Sequence, residues 1–194
     1  MRALILLPII HGINDLGDLG EAVTNYRTPE QAEQHQIGID HFWSLLESAI
    51  DGFGLDYKKV KLYQDGLPVC GRESDIVVET AESGSRNFCL LQKLIYKGAT
   101  LVGTESPGLL LKEYALMRQA HDPQPGLTTP TDETAQTLLD QRDTFIAQRI
   151  NDTLNEGEMG LLFIGLLHKV EDKLPKDITV IQPIEKPTLG SEKR

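Results

Sequence analysis

The chain has only two cysteines in 194 residues, Cys70 and Cys89, and they lack any CxxC spacing. A zinc knuckle or thioredoxin-type motif is therefore excluded. Two scattered thiols fit a reduced, cytoplasmic protein better than a secreted disulfide scaffold. Basic residues are also few: 19 Lys and Arg stand against 29 Asp and Glu, for a net charge of −10. A nucleic-acid partner needs a basic footprint, and no Lys/Arg stripe is visible, so nucleic acid is not expected as a partner. An anionic membrane surface is disfavoured for the same reason. No apolar run approaches the roughly 20 residues of a membrane span. The N-terminal MRALILLPII lacks a small-residue cleavage site and runs straight into His11 and Asp15, so it reads as a buried strand rather than a signal peptide. GxSxG, GxGxxG, Walker and HExxH motifs are all missing, which removes the commonest hydrolase, dinucleotide, NTPase and zinc-protease readings.

The apolar fraction of 40% and charged fraction of 25% are those of a globular chain. The length suits one domain with a real core. Strand-like and helical patterns alternate. Residues 3–10 are apolar on both faces, as in a central parallel strand. Thr28-Pro29-Glu30-Gln31 reads as a cap opening a helix to about Phe53, with Ile39, Phe42, Trp43, Leu46 and Ile50 on one stripe. Further strands are predicted at 58–64, 99–104, 160–166 and 177–182. Helices are predicted at 73–82, 86–97, 107–119 and 131–156, with a helical turn at 169–174, and Gly54, Gly98 and Gly157 as stops. The proline-rich segment 121–133 is a loop, either a lid or a surface excursion. The expectation is a single α/β domain over residues 1–184, with a mainly parallel sheet of about five strands flanked by helices and a flexible tail at 185–194.

Four acid–base residues fall at predicted strand ends: His11, Asp65, Glu105 and His168. In an open α/β sheet, ligands bind in the crevice beyond the carboxyl ends of the strands. His11 is followed by Gly12, which lets the backbone turn sharply, and then by Asp15, Asp18 and Glu21 at three-residue intervals. Two strand-end histidines with a carboxylate such as Glu105 would satisfy a two-His, one-carboxylate site for zinc, manganese or iron. Without metal, the same trio supplies a general base, its orienting acid and a second proton donor. Glu105 also precedes a Ser-Pro helix start, whose N-terminus would stabilise its charge. Ser83-Gly84-Ser85-Arg86-Asn87 precedes a helix and reads either as an anion-binding loop or as a cap.

The longest predicted helix carries two arginines inside its apolar stripe. Arg142 lies about 20° and Arg149 about 40° from the line through Ala135. Buried arginine calls for a carboxylate or a bound anion; the alternative is a packed stem with the guanidinium at the rim. For Arg142, Glu105 is the leading partner.

Toward the C-terminus, R-x6-R-I, then Gly165-Leu166-Leu167-His168, then a helix and the strand DITVI, resembles the erythromycin-esterase/TraB/Tiki-like superfamily. That group carries a GxxH motif near each end of the domain, an arginine on the helix before the second motif, and glutamates in the cleft. Arg142 or Arg149 matches the arginine. Pro8-Ile9-Ile10-His11 departs from the first motif, with proline where glycine is expected, whereas His11-Gly12 looks like the HG pair of the esterase branch. The resemblance implies esterase, metal-dependent protease or haem-binding chemistry and leaves the reaction open.

Together these readings point to a hydrolase of ester or amide bonds, with a small-molecule or peptide substrate and no membrane partner. His11, Glu105, Arg142 and His168 are its candidate catalytic residues. Arg142 would hold an anionic group or the developing oxyanion. One divalent ion on His11, Glu105 and His168 is the metal-assisted version. The rival is a non-catalytic α/β module that binds an anionic small molecule or a partner protein through the same arginines.

Overall fold

Apolar residues on both faces of the first strand need helices above and below it, and a computed structural model of the chain shows that arrangement. The structure describes residues 1–9, 29–121 and 131–184. Five strands form one all-parallel sheet: β1 (Arg2–Ile9), β2 (Val60–Gln64), β3 (Thr100–Val102), β4 (Met159–Gly165) and β5 (Ile178–Ile181), in the order β3-β2-β4-β1-β5. The described helices are α1 (Pro29–Gly52), α2 (Glu73–Glu82), α3 (Arg86–Tyr96), α4 (Pro107–His121) and α5 (Asp132–Thr153). The protein is therefore a single-domain α/β fold.

Strand alternation divides the core in two. Ile5, Leu7 and Ile9 of β1, with Leu62 and Phe163, pack against Trp43, Leu46 and Ile50 of α1 and Leu91 and Leu94 of α3. Leu4 and Leu6, with Tyr63, Leu162 and Ile164, pack against Ile146, Ala147 and Ile150 of α5. On the second face, Gly160 is needed for close packing. A Cβ there would lie 2.5 Å from Leu4 Cδ1 and 3.2 Å from the Tyr63 ring.

Local signals set most boundaries. Gly98 stops α3 with φ at +110°, a conformation that L side chains rarely adopt. Thr131 caps α5 by accepting from Thr134 N–H at 3.2 Å. Two of the boundaries that differ from the sequence pattern have a local cause. Asp56 accepts from Lys58 N–H at 3.3 Å and draws Tyr57–Lys59 into a 3-10 turn, so β2 begins at Val60. The long helix ends at Thr153, before Gly157, because the chain leaves helical geometry to bury Leu154 in the second core. The Thr28 cap, the 122–130 part of the proline-rich loop and the 185–194 tail lie outside the described residues. So do His11, Gly12, Asp15, Asp18 and Glu21, and with them the test of whether His11 and His168 converge.

Among the described residues, no helix is long and apolar enough to cross a membrane. Cys70 and Cys89 are both exposed and not disulfide-bonded.

Candidate functional site

The carboxyl ends of β2, β3 and β4 lie side by side, and the residues beyond them converge under α5. Asp65 directly follows β2. Its N–H donates to Phe163 O at 2.9 Å, and its Oδ2 accepts from Gly165 N–H at 2.9 Å. The β2 and β4 ends are thus tied together by a side chain as well as by the ladder. Glu105, two residues past Gly103, is fixed through its backbone: its N–H donates to Leu67 O and its carbonyl accepts from Val69 N–H, both at 2.9 Å. The Gly165-Leu166-Leu167-His168 segment is a tight turn in which His168 N–H bonds Gly165 O at 3.2 Å. That turn places the imidazole beneath α5.

Arg142 is the centre of the cluster. It is 4% exposed, and Glu105 beside it is 0% exposed. Nε donates to Glu105 Oε2 at 3.2 Å, and Nη2 donates to Glu105 Oε1 at 2.6 Å and Asp65 Oδ1 at 2.7 Å. Nη1 donates to Glu113 of α4. The expected Arg142–Glu105 pairing is present, but two further carboxylates share the same guanidinium. Arg149, about two turns further along the stripe, is half-buried and donates from Nε to Gly103 O at 3.2 Å.

Asp143, next to Arg142, engages the histidine. Its Oδ1 bonds His168 Nδ1 at 2.5 Å, and its Oδ2 accepts from Lys169 N–H at 2.8 Å. On the other side of the ring, His168 Nε2 lies 3.5 Å from Asp65 Oδ2. An imidazole held at Nδ1 by a buried carboxylate has its tautomer and orientation set.

The charges perturb one another. Burial pulls the His168 pKa down, but the Asp143 hydrogen bond and the Asp65 charge outweigh it, and the net shift is upward. Burial likewise opposes the charge on Arg142, while Glu105, Asp65 and Glu113 hold it firmly protonated. Burial pushes the Glu105 carboxyl above its ordinary range despite Arg142, and the Asp65 charge adds to that rise.

The cluster floors a cleft of about 820 Å³, within the roughly 300–1,000 Å³ typical of small-molecule sites. Asp65, Glu113, Arg142 and His168 supply its charged lining, and Gln64 also borders it. The walls are apolar: Leu110, Leu111, Tyr114 and Met117 of α4, and Leu166 and Leu167 after β4.

Asp65, Glu105 and His168 each offer a ligand atom, all within 4.8 Å of one another. Carboxylate and imidazole ligands suit zinc, manganese or iron, and Asp143 on Nδ1 is the outer carboxylate such ligands usually have. The charge does not fit. Arg142 Nη2 already bridges Asp65 and Glu105, and a divalent ion would have to displace it.

Of the sequence candidates, Glu105, Arg142 and His168 come together, and His11 lies outside the described residues. Asp65 belongs with them; it had the same strand-end placement. Asp143 and Glu113 were missed. Asp143 carried a faint signal, as an acid one residue from a stripe arginine, whereas Glu113 looked like any exposed helix acid. Ser83–Asn87 is a cap: Ser85 Oγ accepts from Phe88 N–H at 3.2 Å. No family model, curated protein or solved structure matches this chain significantly.

Proposed function

We propose that the chain is a hydrolase of ester or amide bonds, with His168 as general base. The observation that carries this reading is the buried Asp143–His168 pair on the floor of a substrate-sized cleft. Asp143 fixes the ring so that Nε2 is the nitrogen that takes a proton from an attacking water. A pKa above the ordinary histidine value makes His168 the stronger base once it is neutral. Asp65 lies on the Nε2 side and favours the imidazolium that forms as the proton is taken.

Arg142 takes a different role from the anion or oxyanion holder expected from the sequence. Four of its five N–H groups are already given to carboxylates, so it is a positioning residue that holds Asp65 and Glu105 in place. For the same reason the rival binder of anionic small molecules loses its main support. The superfamily resemblance fits the Gly165–His168 turn and keeps His11 as a candidate second base.

The test is a screen of simple aryl and alkyl esters and anilides against wild type, His168→Gln and His11→Ala. Turnover by wild type that His168→Gln abolishes supports the reading; absence of turnover on every ester and amide tried overturns it. A metal-assisted version has three ligand atoms within 4.8 Å for it and the Arg142 bridge between Asp65 and Glu105 against it. It expects one tightly bound divalent ion by elemental analysis, lost in His168→Ala. Full activity after exhaustive chelation removes that version and leaves the general-base mechanism standing.

A further inference from the structure

We propose that the substrate of this cleft carries a protonated amine on an apolar body. The inference rests on the cleft being the substrate site of the proposed hydrolase, and it adds the chemical class that the site selects. Three observations converge on it.

The first is charge. Four carboxylates, Asp65, Glu105, Glu113 and Asp143, surround two cationic groups, Arg142 and His168. With all six ionised the cluster carries two negative charges. Neutralising Glu105 by protonation still leaves one, and neutralising His168 makes the excess larger. Counted over these described residues, the cluster at and behind the cleft lining is negative in each of these states, which disfavours an anionic ligand and favours a cationic one. Electrostatic complementarity of this kind is what selects between partners of similar shape.

The second observation is an unmatched acceptor. Gln64 is 0% exposed, borders the cleft, and has no hydrogen-bond partner for Oε1 among the described residues. Its amide orientation is not ambiguous, because the other end donates from Nε2 to Asp65 O at 2.9 Å, and a carbonyl only accepts. A buried acceptor left unpaired is costly and calls for a donor. An ammonium N–H is a donor, as is a hydroxyl, whereas a carboxylate or ketone is not.

The third is the apolar wall. Leu110, Leu111 and Tyr114 of α4 face the same space as Leu166 and Leu167 after β4. A small hydrated cation such as ammonium itself would leave this wall unfilled. An amine on an aliphatic or aromatic frame would seat its charge at Glu113 and Asp65 and cover the wall with its body. Glu113 is the reachable member of the cluster, with a side chain 34% exposed.

The experiment compares three probes with one apolar frame, 4-phenylbutylammonium, 4-phenylbutanol and 4-phenylbutyrate, by titration calorimetry on the full chain near neutral pH. The ammonium is expected to bind about tenfold more tightly than the alcohol, as a charge-assisted hydrogen bond warrants. The carboxylate is expected to bind more weakly than the alcohol. Glu113→Gln should weaken the ammonium about threefold and leave the alcohol unchanged. Gln64→Leu, checked for folding by circular dichroism, should also weaken it. His168→Gln, which removes positive charge, should bind the ammonium at least as well as wild type. The proposal is overturned if the carboxylate or alcohol matches the ammonium, if none of the three binds, or if both Glu113→Gln and Gln64→Leu leave ammonium affinity unchanged. Ammonium binding without turnover of any ester or amide would sink the hydrolase reading alone. Ester turnover without an ammonium preference would sink this inference alone.

Discussion

Two arginines, Arg2 from β1 and Arg142 from α5 itself, sit near opposite ends of the sheet's strands, and their surroundings differ in kind. At the amino edge, Arg2 of β1 donates to Asn151 O at 2.8 Å and Leu154 O at 3.2 Å, closing the end of α5. It also bonds Asn151 Oδ1 at 3.0 Å and a single, exposed carboxylate, Asp177, at 2.6 Å. A cation on the last carbonyls of a helix is ordinary capping, and one partner charge balances it. At the carboxyl edge, Arg142 meets three carboxylates, with Asp143 and His168 adjoining. Folding requires one counter-charge for a buried guanidinium, and this cluster holds more than that. That surplus of negative charge is what sets the proposed site apart from the ion pair of Arg2.

The largest effect should appear in turnover. His168→Gln is expected to lower hydrolysis by about 10²- to 10⁴-fold, the usual weight of a general base, while Arg2→Met leaves the rate unchanged. Equal losses in steady-state assays of both variants would break the distinction between the two edges. Stability comes next. Arg142→Met strands Asp65 and Glu105 in the interior and should cost about 3–5 kcal/mol in urea denaturation. Arg2→Met, whose acceptors are mostly neutral carbonyl and amide oxygens near water, should cost about 1–2 kcal/mol. Adding Glu105→Gln to Arg142→Met should recover part of the loss, because coupled neighbours are not additive.

Acid and alkali should act on opposite edges. The His168 pKa is raised in the folded state, so its contribution is complete below the ordinary value of about 6.5 and is lost as pH rises through the folded pKa. Glu105, also raised, shifts stability in the same direction. The Asp177 pKa is lowered by Arg2, so its contribution is present above the ordinary carboxylate value and fades as pH falls. Urea midpoints should therefore decline between neutral and mildly alkaline pH in wild type, and this decline should flatten in Asp143→Asn. Turnover should rise over the same range as His168 becomes neutral, opposite to stability. A turnover profile that falls through this range would remove His168 as the base. The smallest effect is expected for Asp177→Asn, with only a slight drop in midpoint at neutral pH, as for an exposed ion pair; a large loss would mean that the amino edge is more than a cap.

Much of the fold was legible because its signals are local. Ile39, Trp43, Leu46 and Ile50 at helical spacing on α1, and a β1 apolar on both faces, need only the chain's own periodicity to be read. Arg142 stood out because a guanidinium inside an apolar stripe contradicts its surroundings. Asp143 did not, because its neighbours along α5 include solvent-facing acids that look the same. Its role comes from a turn that returns His168 to it from 25 residues away. Glu113 was illegible for a related reason. Only the packing of α4 on α5 turns it toward Arg142.

The sequence alone determined the α/β class, the strand-end placement of Asp65, Glu105 and His168, and the need for a partner at Arg142. Each follows from periodicity, turn chemistry or the cost of burying charge, which are properties of short stretches of chain. Tertiary structure decided how many carboxylates share that arginine, which acid adjoins the histidine, and which of these groups line the cleft. Those depend on pairs as distant as Asp65 and Gly165, 100 residues apart. Such pairs exist only once the parallel sheet has brought its carboxyl ends together.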